Sequence, residues 1–80
     1  MSIKDSVVKR LIVLCKNKDI SLNKLANLSG VTPSTIYSIV DNTRREIGIT
    51  TIKKLCDGLE ITISDFFNTE DFRNLDQEIK

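Results

Sequence analysis

An all-α domain is the fold class this sequence predicts, and three observations predict it. Apolar residues recur at three- and four-residue steps in successive segments, which is the helical period. Hydroxyl residues stand just before several of those segments, at Ser2, Ser21, Thr32 and Thr62, where a side-chain oxygen can cap the first turn. Between the second and third segments a stop and a restart follow one another directly: Gly30 can end a helix in the left-handed conformation, and Thr32-Pro33 can open the next.

The first helix is expected over about Ile3 to Asn17. Ser2 with Asp5 forms a capping box, with aspartate in place of the usual glutamate. Ile3, Val7, Val8, Leu11, Ile12 and Cys15 share one face, while Lys4, Asp5, Lys9, Arg10 and Lys16 share the other. Asn17-Lys18-Asp19 is the polar turn. Ser21 then caps a second helix whose apolar side is Leu22, Leu25, Ala26 and Leu28, with Ala26 small enough for a crossing helix to pass close by. The third helix, from Pro33, turns Ile36, Ile39 and Val40 inward, and Val31 plugs the angle between the two. Residues Asp41 to Gly48 form a loop with Ile47 as its anchor. A fourth helix, about Ile49 to Leu59, buries Ile49, Ile52, Leu55, Cys56 and Leu59. Gly58 inside its last turn costs up to ~1 kcal/mol against alanine, which signals close packing or fraying there. Thr62 and Asp65 open a short fifth helix that delivers Ile63, Phe66 and Phe67 to the core. Beyond Asn68, Phe72, Leu75 and Ile79 repeat at helical spacing, and this tail is read as a sixth helix, a dimer contact or a disordered segment.

Eighty residues make one small domain, in which only about 60% of the unfolded chain's surface can be buried. The division expected is 1–68 for the domain and 69–80 for the acidic tail. The longest unbroken apolar run, Leu11 to Cys15, is far too short for a membrane span, and no basic-then-apolar leader precedes it, so the chain is expected in the cytoplasm with no membrane partner. Cys15 and Cys56 fall on apolar faces and are expected to be buried free thiols. A metal is not expected, because there is no histidine and the two cysteines lack ligand spacing. The net charge of +1 conceals an asymmetry. Residues 1–58 hold ten basic and five acidic side chains, and residues 59–80 hold two basic and six acidic ones. A basic body with an acidic end suits a nucleic-acid binder.

Two helices held at a steep angle by a glycine turn can present one of them to the DNA major groove. The stretch Ser21-Leu-Asn-Lys-Leu-Ala-Asn-Leu-Ser-Gly-Val-Thr-Pro-Ser-Thr-Ile-Tyr-Ser-Ile-Val-Asp-Asn42 resembles the helix-turn-helix of the phage-repressor-like (Cro/repressor, or XRE) family. Thr50-Thr-Ile-Lys-Lys-Leu-Cys-Asp-Gly-Leu-Glu-Ile-Thr-Ile-Ser-Asp-Phe-Phe67 is similar to its fourth helix, turn and fifth helix. The resemblance covers roughly residues 3–67 and implies a compact five-helix repressor-like domain, with the tail outside the shared core. It departs from the family at Glu60, where glycine is usual, and at Leu22, where a glutamine often braces a phosphate and the recognition helix.

The resemblance implies a DNA-binding transcriptional regulator that inserts its third helix in the major groove and binds double-stranded DNA, an inverted repeat, as a homodimer. Pro33, Ser34, Tyr37 and Ser38 are the positions that approach base edges in this family. Asn23, Lys24, Thr32, Asn42, Thr43, Arg44 and Arg45 are the expected phosphate contacts, the guanidinium forks of the two arginines being well shaped for phosphate oxygens. Backbone amides at the start of helix two are further candidates. Between Thr32 and Val40 there is no arginine, lysine, glutamine or asparagine, so bidentate base contacts are missing and specificity has to rest on hydroxyls, Tyr37, the following loop and DNA shape. A dimer contact is expected at Phe72, Leu75 and Ile79. The alternative reading is a protein-interaction module, an antitoxin-like or accessory partner with weak non-specific DNA binding. Enzymatic function and cofactors are not expected: there is no histidine base, no activated cysteine and no glycine-rich phosphate loop.

Overall fold

Each hydroxyl singled out above caps a helix. The computed structural model describes residues 2–41 and 46–79, and Asn42, Thr43, Arg44 and Arg45 lie outside the described residues. Among the described residues six helices follow in order: α1 (Ile3–Lys18), α2 (Leu22–Ser29), α3 (Pro33–Val40), α4 (Ile49–Leu59), α5 (Ile63–Phe66) and α6 (Glu70–Arg73). The hydroxyl oxygens of Ser2, Ser21, Thr32 and Thr62 accept hydrogen bonds from the backbone amides of Asp5, Lys24, Thr35 and Asp65 at 3.0–3.3 Å. Gly48 stands before α4 with no side-chain cap.

The helix ends repeat one device. Asp19, Gly30 and Glu60 adopt left-handed backbone at φ 55°, 69° and 59°. Immediately after each, an apolar residue sends its amide back five positions: Ile20 to the Cys15 carbonyl, Val31 to Ala26 and Ile61 to Cys56, at 3.0–3.1 Å. All three apolar residues are half-buried against the core. The chain thus leaves α1, α2 and α4 by the same turn, which satisfies otherwise orphaned carbonyls and drops a hydrophobic side chain onto the body. Only Gly30 adopts this backbone without steric cost. Asp19 and Glu60 each carry strain of about 1 kcal/mol, and the expectation of strain at Glu60 therefore has a matching geometry.

The core joins the first five helices through Val7, Leu11, Leu14 and Cys15 of α1, Leu25 and Ala26 of α2, Ile36 and Ile39 of α3, Ile52, Leu55, Cys56 and Leu59 of α4, and Phe66 of α5. Four expected core residues face solvent instead: Ile49 is 66% exposed, Leu28 50%, Ile3 46% and Ile12 37%. Ile49 is the first residue of α4, beyond the reach of its partners, and Leu14 takes the inward position on α1 that the periodic reading gave to Ile12. Gly58 marks close packing. A Cβ built there would stand 2.1 Å from the Ser29 hydroxyl and 3.0 Å from the Ser29 amide nitrogen, so the end of α2 lies almost directly on the α4 backbone.

The tail forms the short α6 and then continues without regular structure to Ile79. Phe72 stacks its edge against Phe67, with ring centroids 4.8 Å apart at 71°, and Phe66 meets Phe67 at 4.9 Å and 72°. Two residues that looked like solvated charges on α1 hold this flank. Arg10 donates from Nε to the Phe66 carbonyl and from a terminal nitrogen to the Asp65 carbonyl, both at 2.9 Å. Lys9 pairs with Asp71 at 3.0 Å.

Candidate nucleic-acid interface

Helix α3 is positioned by what it buries. Ile36 and Ile39 are fully enclosed and Val40 is half-buried, which fixes the rotation of the helix about its axis and leaves Pro33, Ser34, Tyr37 and Asp41 outside. Its start is fixed separately, by the Gly30 turn, the Thr32 cap and Pro33 at the first helical position. The outward stripe is short and weakly polar. Tyr37 is 45% exposed, offering an aromatic ring edge and a hydroxyl.

The four residues expected at base edges do not present equal chemistry. Pro33 and Ser34 are exposed at the tip. Ser38 is only half-buried, and its hydroxyl donates to the Thr35 carbonyl at 3.0 Å, a bond within its own helix. Thr32, expected at phosphate, has its oxygen engaged by the Thr35 amide at 3.3 Å, the Thr35 hydroxyl at 2.9 Å and the Ser34 hydroxyl at 3.1 Å. Thr35 was missed by the site reading, although a threonine three residues after a capping threonine is the spacing that brings two hydroxyls together.

Asn23 and Lys24 are exposed on the first turn of α2. The amides of Lys24 and Leu25 do not remain available there: Ser21 Oγ takes the first and the Ser21 carbonyl takes the second, each at 3.0 Å. Leu22, where the family often has glutamine, is half-buried against the core, so the position contributes packing and no polar brace. The remaining expected phosphate contacts, Asn42, Thr43, Arg44 and Arg45, lie outside the described residues.

Elsewhere the molecule offers little reactive chemistry. Cys15 and Cys56 are buried free thiols. Burial pushes both above the ordinary thiol value of 9.0; at Cys56 the Asp57 charge adds to the rise and Lys53 opposes it. Among the described residues no group of three histidine, cysteine, aspartate or glutamate side chains could hold a metal, and no helix is long and apolar enough to cross a membrane. A cleft of about 540 Å³ opens between Ile3, Val7, Ile47, Ile52 and Glu78, and among the described residues none of those expected at DNA lines it.

Residues 10–71 match the model of the Cro/C1-type helix-turn-helix DNA-binding domain. The chain belongs to that family. This Cro/C1-type domain is also similar to the solved structure of protein 11 of prophage Lp1, with a TM-score of 0.82 and 28% identity over 94% of this chain and all of that one. No curated protein matches it significantly. The family gives the α2–α3 pair its meaning: they are the helix-turn-helix, and the chain is a DNA-binding regulator in the general sense.

Proposed function

We propose that this Cro/C1-type domain is a sequence-specific, repressor-like transcriptional regulator that acts in the cytoplasm as a homodimer on an inverted repeat. The supporting observation is the outer tip of α3, where Pro33, Ser34 and Tyr37 face away from the body on a helix whose rotation is locked by Ile36 and Ile39. The likeness to a prophage protein is in keeping with a phage-type regulator. The tip enters the major groove, with Tyr37 laying its ring against a thymine methyl and the serines reading base edges. Asn23, Lys24 and Thr32 flank it, and Asn42, Thr43, Arg44 and Arg45 follow it in sequence; these supply phosphate contacts that orient the domain and carry little sequence information. The action is steric or recruiting, without chemistry or cofactor.

One such tip buries too little surface for useful affinity, which favours two copies whose recognition helices sit about one turn of DNA, ~34 Å, apart. Leu75 and Ile79 extend beyond α6, the latter 86% exposed, and form the dimer contact together with the half-buried Phe72. Removing residues 75–80 should halve the mass measured by light scattering while the fold survives.

Selection of duplexes from a random library at low and moderate salt tests the reading. The expected product is an inverted repeat of fixed spacing, retained at moderate salt and lost in the double charge reversal Arg44→Glu/Arg45→Glu. Binding confined to low salt without an enriched motif would mean phosphate attraction alone. It would favour the protein-interaction module instead.

A further inference from the structure

We propose that Thr35 is a positioning residue that sets the hydrogen-bonding polarity with which Ser34 reads a base; the proposal rests on the DNA-reading role of α3 given above. A hydroxyl has one proton to donate and two lone pairs with which to accept. Thr32 Oγ1 has three partners within hydrogen-bond distance: the Thr35 amide, which can only donate to it, the Thr35 hydroxyl at 2.9 Å and the Ser34 hydroxyl at 3.1 Å. All three contacts are satisfied together in two ways only.

In the first arrangement Thr32 donates to Thr35 and Ser34 donates to Thr32. The Ser34 proton is then turned inward, and the oxygen shows lone pairs to the groove. Such an acceptor suits an amine edge, N4 of cytosine or N6 of adenine. In the second, Thr35 donates to Thr32 and Thr32 donates to Ser34. The Ser34 proton then points outward and suits O6 or N7 of guanine, N7 of adenine or O4 of thymine. Ser34 stands on the exposed tip, whereas Thr35 lies half-buried beside it and keeps its own hydroxyl on Thr32. Thr35 therefore acts through Thr32 without touching a base. With both arrangements open, Ser34 accepts either class of edge, and the recognition helix reads that position permissively.

Thr35→Val keeps the shape and removes the hydroxyl. Thr32 can then place its proton only on Ser34 once water is displaced from the interface, which occupies one Ser34 lone pair, turns the Ser34 proton outward and biases Ser34 toward donating. Wild-type protein, Thr35→Val, Thr35→Ala and Thr35→Ser should be compared by duplex selection under one salt condition, with circular dichroism confirming the folded state of each. The expected result is a base pair in each half-site at which wild type and Thr35→Ser tolerate cytosine facing α3. Thr35→Val and Thr35→Ala should deplete that cytosine roughly tenfold, the scale of one hydrogen bond left unmade in a dry interface, with other positions unchanged. Ser34→Ala should flatten the same position, which identifies it as the one Ser34 reads. A Thr35→Val profile identical to wild type would overturn the proposal, as would an equal shift in Thr35→Ser. Absence of any motif with wild-type protein would instead remove the DNA-reading role, and this inference with it.

Discussion

The helix-turn-helix corner and the flank made by α1, α5 and α6 are held by different chemistry. At the corner the contacts are apolar and close: Ile36 and Ile39 fill the inner side of α3, and Ser29 at the end of α2 touches the bare backbone of Gly58. On the flank the contacts are charged and aromatic. Arg10 holds two carbonyls of α5, Lys9 holds Asp71, Arg73 pairs with Glu70 at 2.8 Å, and three phenylalanine rings meet edge to face. The flank thus uses its cations internally, while the segment Thr32–Val40 has no cation at all. Tight apolar packing has one arrangement, whereas exposed ion pairs are worth about 0–1 kcal/mol each and can be remade elsewhere. The corner thus fixes the geometry of α3, and the flank sustains the body behind it.

Gly58→Ala should produce the widest effect, on stability and DNA binding together. Alanine gains up to ~1 kcal/mol of helix propensity, yet its Cβ collides with Ser29, and overpacking of this kind costs about 1–3 kcal/mol. A net loss in urea unfolding accompanied by weaker DNA binding is expected, with partial recovery in Gly58→Ala/Ser29→Ala, where the nearest atom is gone. Equal stability in wild type and Gly58→Ala would break the picture of a corner without slack.

Phe72→Ala comes next. Its ring is half-buried, so the expected cost is about 1–2 kcal/mol from lost apolar area and edge contacts. DNA binding should weaken at low protein concentration, through the proposed dimer contact, and approach that of wild type at protein concentrations that saturate dimer formation. A smaller change of opposite sign is expected for Glu60→Gly, which relieves left-handed strain at the junction of α4 and α5. Stability should rise by about 0.5–1 kcal/mol, with no change in DNA preference.

The two thiols compare the regions directly, Cys15 lying on α1 and Cys56 on α4. Burial raises both, so the folded state holds its thiol protons more tightly than the unfolded chain. Their contribution to stability is fully present below the ordinary value of 9.0 and is lost as pH rises through the folded values. Melting temperature should be flat across neutral pH on this account and fall above about pH 9. Replacing both cysteines by alanine should remove that fall. In native labelling Cys15 should react before Cys56 if the flank opens first.

Sequence spacing revealed the helices well because their signals are local. Each hydroxyl cap lies three residues before the amide it accepts, and Gly30-Val-Thr-Pro33 stops one helix and starts the next within four positions. Periodicity erred where a helix end outruns its partners, as at Ile49, and where a face is wider than one stripe, as at Ile12 and Leu14. It could not show that Arg10 reaches carbonyls 55 and 56 residues away, since nothing in the neighbourhood of Arg10 encodes the position of α5. At the interface the residue types were readable, but their engagement was not. The inward bond of Ser38 and the shared proton of Thr32, Ser34 and Thr35 depend on rotamers within a single turn.

Amide chemical shifts of isotopically labelled protein, followed while the selected duplex is added, show which surface meets DNA. The largest changes should fall on Asn23, Lys24 and Thr32 through Ser38, with Lys9, Arg10, Phe66 and Phe72 nearly still. Largest changes on the α1–α5–α6 flank, with α3 unmoved, would contradict the DNA-reading role of α3 and place the binding surface on the other side of the molecule.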